Sequence, residues 1–203
     1  MTTTPSDILI GIADLYAHEA IACDGMLADA ARELRRLAAL PPAWESASRL
    51  PVTRELSAAI KAAQVSPLSG IAEALASIEP LLRWRQNPNY TAATIGNAFL
   101  ERYGYVELVG RNCPWPSETI AVGFLLLGPG AHYPTHHHPA REVYHVVSGA
   151  SEWWRTERDW TAEPPGAAIY HAPHVKHATR VGQAPLLALY CWQGCLAMAA
   201  RLA

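Results

Sequence analysis

Eight of the nine histidines lie between His132 and His177, a concentration that ordinary core packing does not require and that metal binding does. The densest run, Gly130-Ala-His-Tyr-Pro-Thr-His136-His-His138-Pro-Ala-Arg-Glu142-Val-Tyr144, continues to Gly149 and reads as G-x5-H-x-H-x3-E-x6-G without a gap. Side chains alternate along an extended strand, so His136 and His138 point to one side. Beyond a bend allowed by Pro139, Glu142 and Tyr144 again share a side. Two imidazoles, a carboxylate and a phenol can therefore converge on one interior point, and imidazole with carboxylate suits a single divalent transition metal: Zn, Fe, Mn, Ni or Co. A third imidazole should come from a partner strand, where His171, His174 and His177 are the candidates. His177 fits best, because it follows a Pro-containing turn and opens an apolar strand, whereas His171 and His174 sit before or within the turn. His137 and His145 have the wrong parity, and His132 reads as a polar loop residue.

The first motif resembles that of the cupin superfamily in full. Gly166, Pro173 and His177 resemble the second cupin motif, although Val175 stands where a glycine is usual and Val181 where an asparagine is usual. With Tyr144 added to H-x-H-x3-E, Tyr133 upstream and a helical part preceding the strands, the chain is similar to the dimethylsulfoniopropionate lyases among the cupins. That resemblance implies a metal held by His136, His138, Glu142 and His177, with Tyr144 beside it and open as an additional ligand. It also implies a second active-site tyrosine at Tyr133 and a pocket aromatic at Trp192.

The implied reaction is a β-elimination on a small-molecule substrate. A base removes the proton next to the carboxylate, dimethyl sulfide leaves from the following carbon, and acrylate remains. A free phenol with a pKa of about 10 is a poor base at neutral pH, so a neighbouring divalent cation is what makes Tyr144 competent; Tyr133 is the second choice. A sulfonium leaving group favours aromatic faces. Tyr190 and Trp192 flank Cys191 and share one strand face; Tyr190 reads first as outer-face or helix-contact packing and second as a pocket wall. Two alternatives stay open: a lyase-like metal cupin acting on another small carboxylate by oxygenase or isomerase chemistry, and a small-molecule-binding cupin. There is no G-x-S-x-G, H-E-x-x-H or Gly-rich phosphate loop, which argues against serine hydrolase and nucleotide chemistry.

The elements that must position these residues divide the chain in two. Residues 1–90 are rich in Ala, Leu, Arg and Glu at helical spacing, as with Ile8, Ile12, Leu15 and Tyr16. Ser6 is placed to cap the first helix, Asp24-Gly25 allows a bend, and Pro41-Pro42 ends the run containing Leu27, Leu34 and Leu37. Further helical patterns span Thr53 to Val65 and Leu68 to Leu82. Residues 91–203 change to short runs of Val, Ile, Tyr, Trp and Leu between Gly and Pro. Strands are predicted at Tyr105 to Val109, Thr119 to Leu127, Glu142 to Val147, Ser151 to Arg155, Ala167 to His171, His177 to Val181 and Leu186 to Trp192. The fold class is α+β, mainly β: an antiparallel cupin (jelly-roll) β-barrel with the N-terminal helices packed on it as one folded unit.

Composition agrees: of 203 residues 50% are hydrophobic and 17% charged, with a formal net charge of -2, so a sizeable core is available and no basic footprint for nucleic acid is present. No apolar run approaches the ~20 residues of a spanning helix. Cys23, Cys113, Cys191 and Cys195 form no C-x-x-C pair and read as reduced thiols in a cytoplasmic protein. Cys191 and Cys195 reach a metal only if their strand face lines the site. Cupins often pair through barrel strands, so a homodimer is compatible with the chain.

Overall fold

The computed structural model describes residues 4–19 and 25–203; Cys23 and Asp24 lie outside the described residues. Helix α1 (Asp7–His18) buries Ile8, Leu9, Ile12, Ala13 and Tyr16, the apolar stripe expected of an amphipathic helix. Ser6 precedes it but makes no side-chain cap; Asp7 instead accepts bonds from the Thr4 amide and hydroxyl, both at 2.8 Å. Helix α2 (Met26–Ala38) buries Met26, Leu27, Ala30, Ala31, Leu34 and Leu37 against α1. The patterns read as two further helices are each composite: α3 (Leu56–Ala62) lies between 3-10 turns at Pro51–Glu55 and Ala63–Val65. Likewise α4 (Ser69–Ile78) continues into a turn at Glu79–Leu81. Two single-turn helices, α5 (Ala92–Ile95) and α6 (Asn97–Leu100), lead into the strands.

Eleven strands follow in the described residues: β1 (Tyr103–Gly110), β2 (Trp115–Pro116), β3 (Ile120–Leu127), β4 (His132–His137), β5 (Arg141–Ser148), β6 (Ser151–Arg155), β7 (Thr161–Glu163), β8 (Ala168–His171), β9 (His177–Val181), β10 (Leu186–Gln193) and β11 (Arg201–Leu202). The seven predicted strands are all present, with ends moved by two residues or fewer, and β2, β4, β7 and β11 are additional. They form a six-stranded sheet in the order β2-β1-β3-β10-β5-β8 and a five-stranded sheet in the order β11-β4-β9-β6-β7. Pairing is antiparallel except between β1 and β2.

The six-stranded sheet has two apolar faces, which explains the fully buried run Ile-Ala-Val-Gly-Phe-Leu-Leu-Leu of β3. Its outer face, with Val143, Val147, Leu187, Leu189 and Cys191, joins one core with the helices. Its inner face, with Leu125, Leu127, Tyr144, Val146, Ala188 and Tyr190, shares a second core with Tyr133, Trp153 and Val181 of the other sheet. Gly149, at φ +95°, turns β5 toward β6; a Cβ there would lie 2.3 Å from the Pro185 carbonyl oxygen, so only glycine fits. Cys113, Cys191 and Cys195 take part in no disulfide among the described residues. No helix among the described residues is long and apolar enough to cross a membrane.

Candidate active site

Strand register brings the chemistry-bearing residues together on the inner side. His136 on β4 faces His177 on β9; Glu142 on β5 lies between His171 on β8 and Trp192 on β10; Tyr144 lies between Ile169 and Tyr190. His138 follows β4 in the bend before β5. His138, Glu142 and His177 each present a ligand atom within 4.8 Å of the others, and all three are buried. Glu142 Oε2 is 3.0 Å from His138 Nε2, 3.1 Å from His171 Nδ1 and 3.5 Å from His177 Nε2. Such spacing is what bonds of roughly 2.1 Å to a shared metal would leave between neighbouring ligands.

The tautomers favour the same reading. Nδ1 of His136, His138 and His177 lies 2.8, 3.0 and 3.0 Å from the carbonyl oxygens of Pro134, Ala140 and Val175. A carbonyl only accepts, so each Nδ1 carries the proton, and each ring in its neutral form offers a bare Nε2. Nε2 of His177 is buried without a hydrogen-bond partner. Nε2 of His138 faces a carboxylate oxygen, a contact between two acceptors unless a cation or a proton lies between them. The donor set therefore fits a divalent metal, in the arrangement where backbone carbonyls orient ligating imidazoles. His136 stands next to this group: its ring is 4.1 Å from that of His177 and stacks on Tyr133 at 3.9 Å.

Burial sets the acidities. It pushes the Glu142 carboxyl up, but His138, by charge and hydrogen bond, His171 and His177 together hold it well below the usual carboxylate range. Desolvation lowers His136 to about 3, against the Pro134 carbonyl and Glu142, and holds His177 well below the ordinary imidazole value. The Tyr144 phenol is raised well above 10 by burial and then by the Glu142 charge. Tyr133 is raised by burial and by its tyrosine neighbours, and its hydroxyl is 3.1 Å from that of Tyr90.

Beside this group lies a cavity of about 380 Å³, a volume suited to a small molecule. Tyr103, Tyr105, Tyr133, Tyr144, Tyr190 and Trp192 supply aromatic walls, and Glu142 and Glu107 line it as well. Trp192 also donates its indole N–H to Glu142 Oε1 and stacks on His138 at 4.1 Å.

Of the residues singled out from sequence, Tyr133, Glu142, Tyr144 and Trp192 meet on the cavity wall, with His138 and His177 against Glu142. Tyr190 corrects the first expectation for it: it is buried on the inner face beside Tyr144, rings 6.3 Å apart, because strand alternation sends Cys191 outward to Tyr16 and the helices. Cys191 therefore does not line the site, and Cys195 is exposed. His171 is also placed differently, ending β8 fully buried against Glu142; Ile169 and His171 share the inward parity, and that alternation was the signal for it. Glu107 and Tyr105 were not anticipated, although Tyr-x-Tyr-x-Glu over 103–107 has the period of a strand face. His145, of opposite parity, faces α1, with Nε2 3.0 Å from Glu19 Oε2 and its ring 5.5 Å from Tyr16.

A family model described as dimethylsulfoniopropionate lyase matches residues 27–188. Among curated proteins, dimethylsulfoniopropionate lyase DddQ of Ruegeria pomeroyi is 30% identical over 126 residues, 62% of this chain and 62% of the relative. A Cereibacter sphaeroides protein provisionally named dimethylsulfoniopropionate lyase DddL is 32% identical over 146 residues, 71% of this chain and 60% of the relative. The chain thus matches less than two thirds of the length of either. Among solved structures, the R. pomeroyi DddQ crystal structure shares the fold with a TM-score of 0.77 at 24% identity, covering 98% of this chain and 95% of that one. A structure from a study of the lyases RdDddP and RnDddQII gives 0.72 at 26% identity, covering 98% and 100%.

Proposed function

The chain belongs to the dimethylsulfoniopropionate lyase family, and from that premise we propose that it cleaves dimethylsulfoniopropionate to dimethyl sulfide and acrylate by β-elimination, in a cupin-type barrel carrying one divalent transition metal. The observation that carries this reading is the meeting of Tyr144 and Glu142 on one cavity wall, with His138 and His177 against the Glu142 carboxylate. His138, Glu142 and His177 would hold the metal, with His136 beside His177 and Tyr144 two residues along β5 as candidates for further ligands. When bound, the metal would supply Lewis-acid chemistry toward the substrate carboxylate, acidifying the adjacent C–H.

The chain's own residues would do the rest. Tyr144 takes the proton from the carbon next to the carboxylate, the electron pair forms the C=C bond, and the C–S bond breaks to release neutral dimethyl sulfide. Burial beside Glu142 makes the phenol a poor acid, so its role as base requires positive charge nearby, which a divalent cation held by the group that includes Glu142, two residues away, would supply. Tyr133 stands second for the same role. Trp192 keeps Glu142 in place from one side and presents its ring to the cavity, whose aromatic walls limit water around the reacting carbons.

The test is headspace dimethyl sulfide together with dissolved acrylate, measured on metal-quantified protein with a Tyr144→Phe control. Equal amounts of both products, lost in the control, are expected. Metal-loaded protein that releases neither would overturn the assignment and redirect it to another small carboxylate.

A further inference from the structure

Along β1 the inward positions carry Tyr103, Tyr105 and Glu107, all in the cavity lining. Register puts Glu107 opposite Gly123 on β3, Gly123 opposite Tyr190 on β10, and Tyr190 opposite Tyr144 on β5. One row across the sheet therefore reads Glu107, Gly123, Tyr190, Tyr144, with a carboxylate at one end and the proposed base at the other. Gly123 leaves this row open in its middle. A Cβ there would lie 2.0 Å from the Val106 carbonyl oxygen and 2.9 Å from the Tyr190 hydroxyl, so that hydroxyl occupies the space toward Glu107.

Next to Glu107 the rings form a box. Tyr105 and Tyr190 stand edge to face with centroids 6.5 Å apart at 72°, and Tyr190 and Trp192 are 6.4 Å apart at 62°. Neighbouring rings set at steep angles around a shared space are what quaternary cations select. Glu107 makes no ion pair among the described residues; Cys113 is its hydrogen-bond donor, and a thiol does not neutralise a carboxylate. Burial raises the Glu107 carboxyl above the usual carboxylate range, opposed by the charge of Arg85, which directs its guanidinium to Glu45 at 3.0 Å and the Asn112 carbonyl at 3.2 Å. A half-buried carboxylate without a counterion, on a wall of aromatic rings, is suited to a positively charged guest.

We propose that Glu107, with the rings of Tyr105, Tyr190 and Trp192, forms a subsite for the cationic end of the substrate and makes the protein select zwitterionic onium carboxylates over carboxylates with neutral tails. The subsite deepens the reading of the proposed reaction and rests on it for the anionic end alone. Glu107 on β1 is separated from Glu142 on β5 by β3 and β10, the strand that carries Tyr190 and Trp192, so a substrate bearing opposite charges at its two ends would be oriented with its carboxylate toward Glu142 and its onium group toward Glu107.

The test compares two isosteric probes, 3-(trimethylammonio)propanoate and 4,4-dimethylpentanoate, by calorimetry on metal-quantified wild-type protein, Glu107→Gln and Tyr105→Leu. Wild type should bind the onium probe at least about tenfold more tightly than the neutral one. Glu107→Gln should remove most of that preference by weakening only the onium probe, and Tyr105→Leu, which keeps the charge, should reduce it in part. A wild type without preference, or a preference that both variants retain, overturns the subsite. Equal weakening of both probes in Glu107→Gln also overturns it, by making Glu107 a structural residue. Preference that depends on Glu107 in a protein unable to cleave dimethylsulfoniopropionate would leave the subsite standing and the proposed reaction refuted. Cleavage without such preference would do the reverse.

Discussion

The indole of Trp192 touches Glu142 and His138 at once, donating its N–H to Oε1 of the carboxylate while the ring stacks on the imidazole at 4.1 Å. Trp192→Phe keeps a ring over His138 and removes the donor. Metal affinity, measured by competition with a chelator, should fall about tenfold, with folding intact by circular dichroism. Unchanged metal affinity with reduced turnover would mean that the indole acts on substrate and not through Glu142.

His171 donates from Nδ1 to Glu142 Oε2 at 3.1 Å and stacks on His177 at 3.9 Å. It thereby orients one member of the metal group and packs against another. His171→Asn should weaken metal binding by about 10–100-fold and should shift any activity loss to low metal concentration, so that excess metal restores turnover. Activity lost at saturating metal would place His171 at the substrate instead.

Tyr144 and Glu142 should separate cleanly by metal content. Tyr144→Phe is expected to retain metal near the wild-type level while turnover drops by about 10² or more. Glu142→Ala or His138→Ala should lose both. Full activity in Tyr144→Phe would move the base to Tyr133.

Acid should destabilise the metal-free protein earlier than carboxylates alone would. Burial holds His136 neutral down to about 3, whereas in the unfolded chain it takes up a proton near 6.5. The folded value is the lower one, so stability is complete above about pH 6.5 and declines as pH falls toward 3, by up to about 1.4 kcal/mol per pH unit for this residue. Glu142, also lowered, adds a loss in the same direction below about pH 4.3. Urea midpoints of metal-free protein at pH 7.5, 6 and 5 check this; a midpoint constant over that range would sink the argument.

Most of the sheet was legible in the sequence because its strands are short, β-branched and separated by Gly and Pro. The meeting of His138 with Glu142 was legible for a second reason: in H-x-H-x3-E the two are only four residues apart, around one bend. What was missed depends on pairing between distant segments. Alternation groups His171 with Ile169 and Glu107 with Tyr103 and Tyr105, but which site those faces meet follows only from the pairing of Glu142 with His171 and of Gly123 with Glu107 and Tyr190. Tyr190 was assigned outward because periodicity says which residues share a face and not which face is inside. The strands of two or three residues, β2, β7 and β11, are too short to show a period at all. The Ser6 cap on α1 is absent for a local reason: Ser6 is itself in helical conformation, and Thr4 bonds Asp7 instead.

Strand β5 sends Glu142 and Tyr144 to the cavity while Val143, His145 and Val147 face outward, with the two valines in the core shared with the helices. A slip of one residue would exchange these two sets, pushing a carboxylate and a phenol into the helix interface and valines into the cavity. Misregistered chains would thus be deprived of their reactive groups and of their packing in the same event. For this protein a turnover assay doubles as a structural audit of β5, and length changes between Pro139 and Gly149 should be far less tolerated than equal changes at the exposed turn around Glu157.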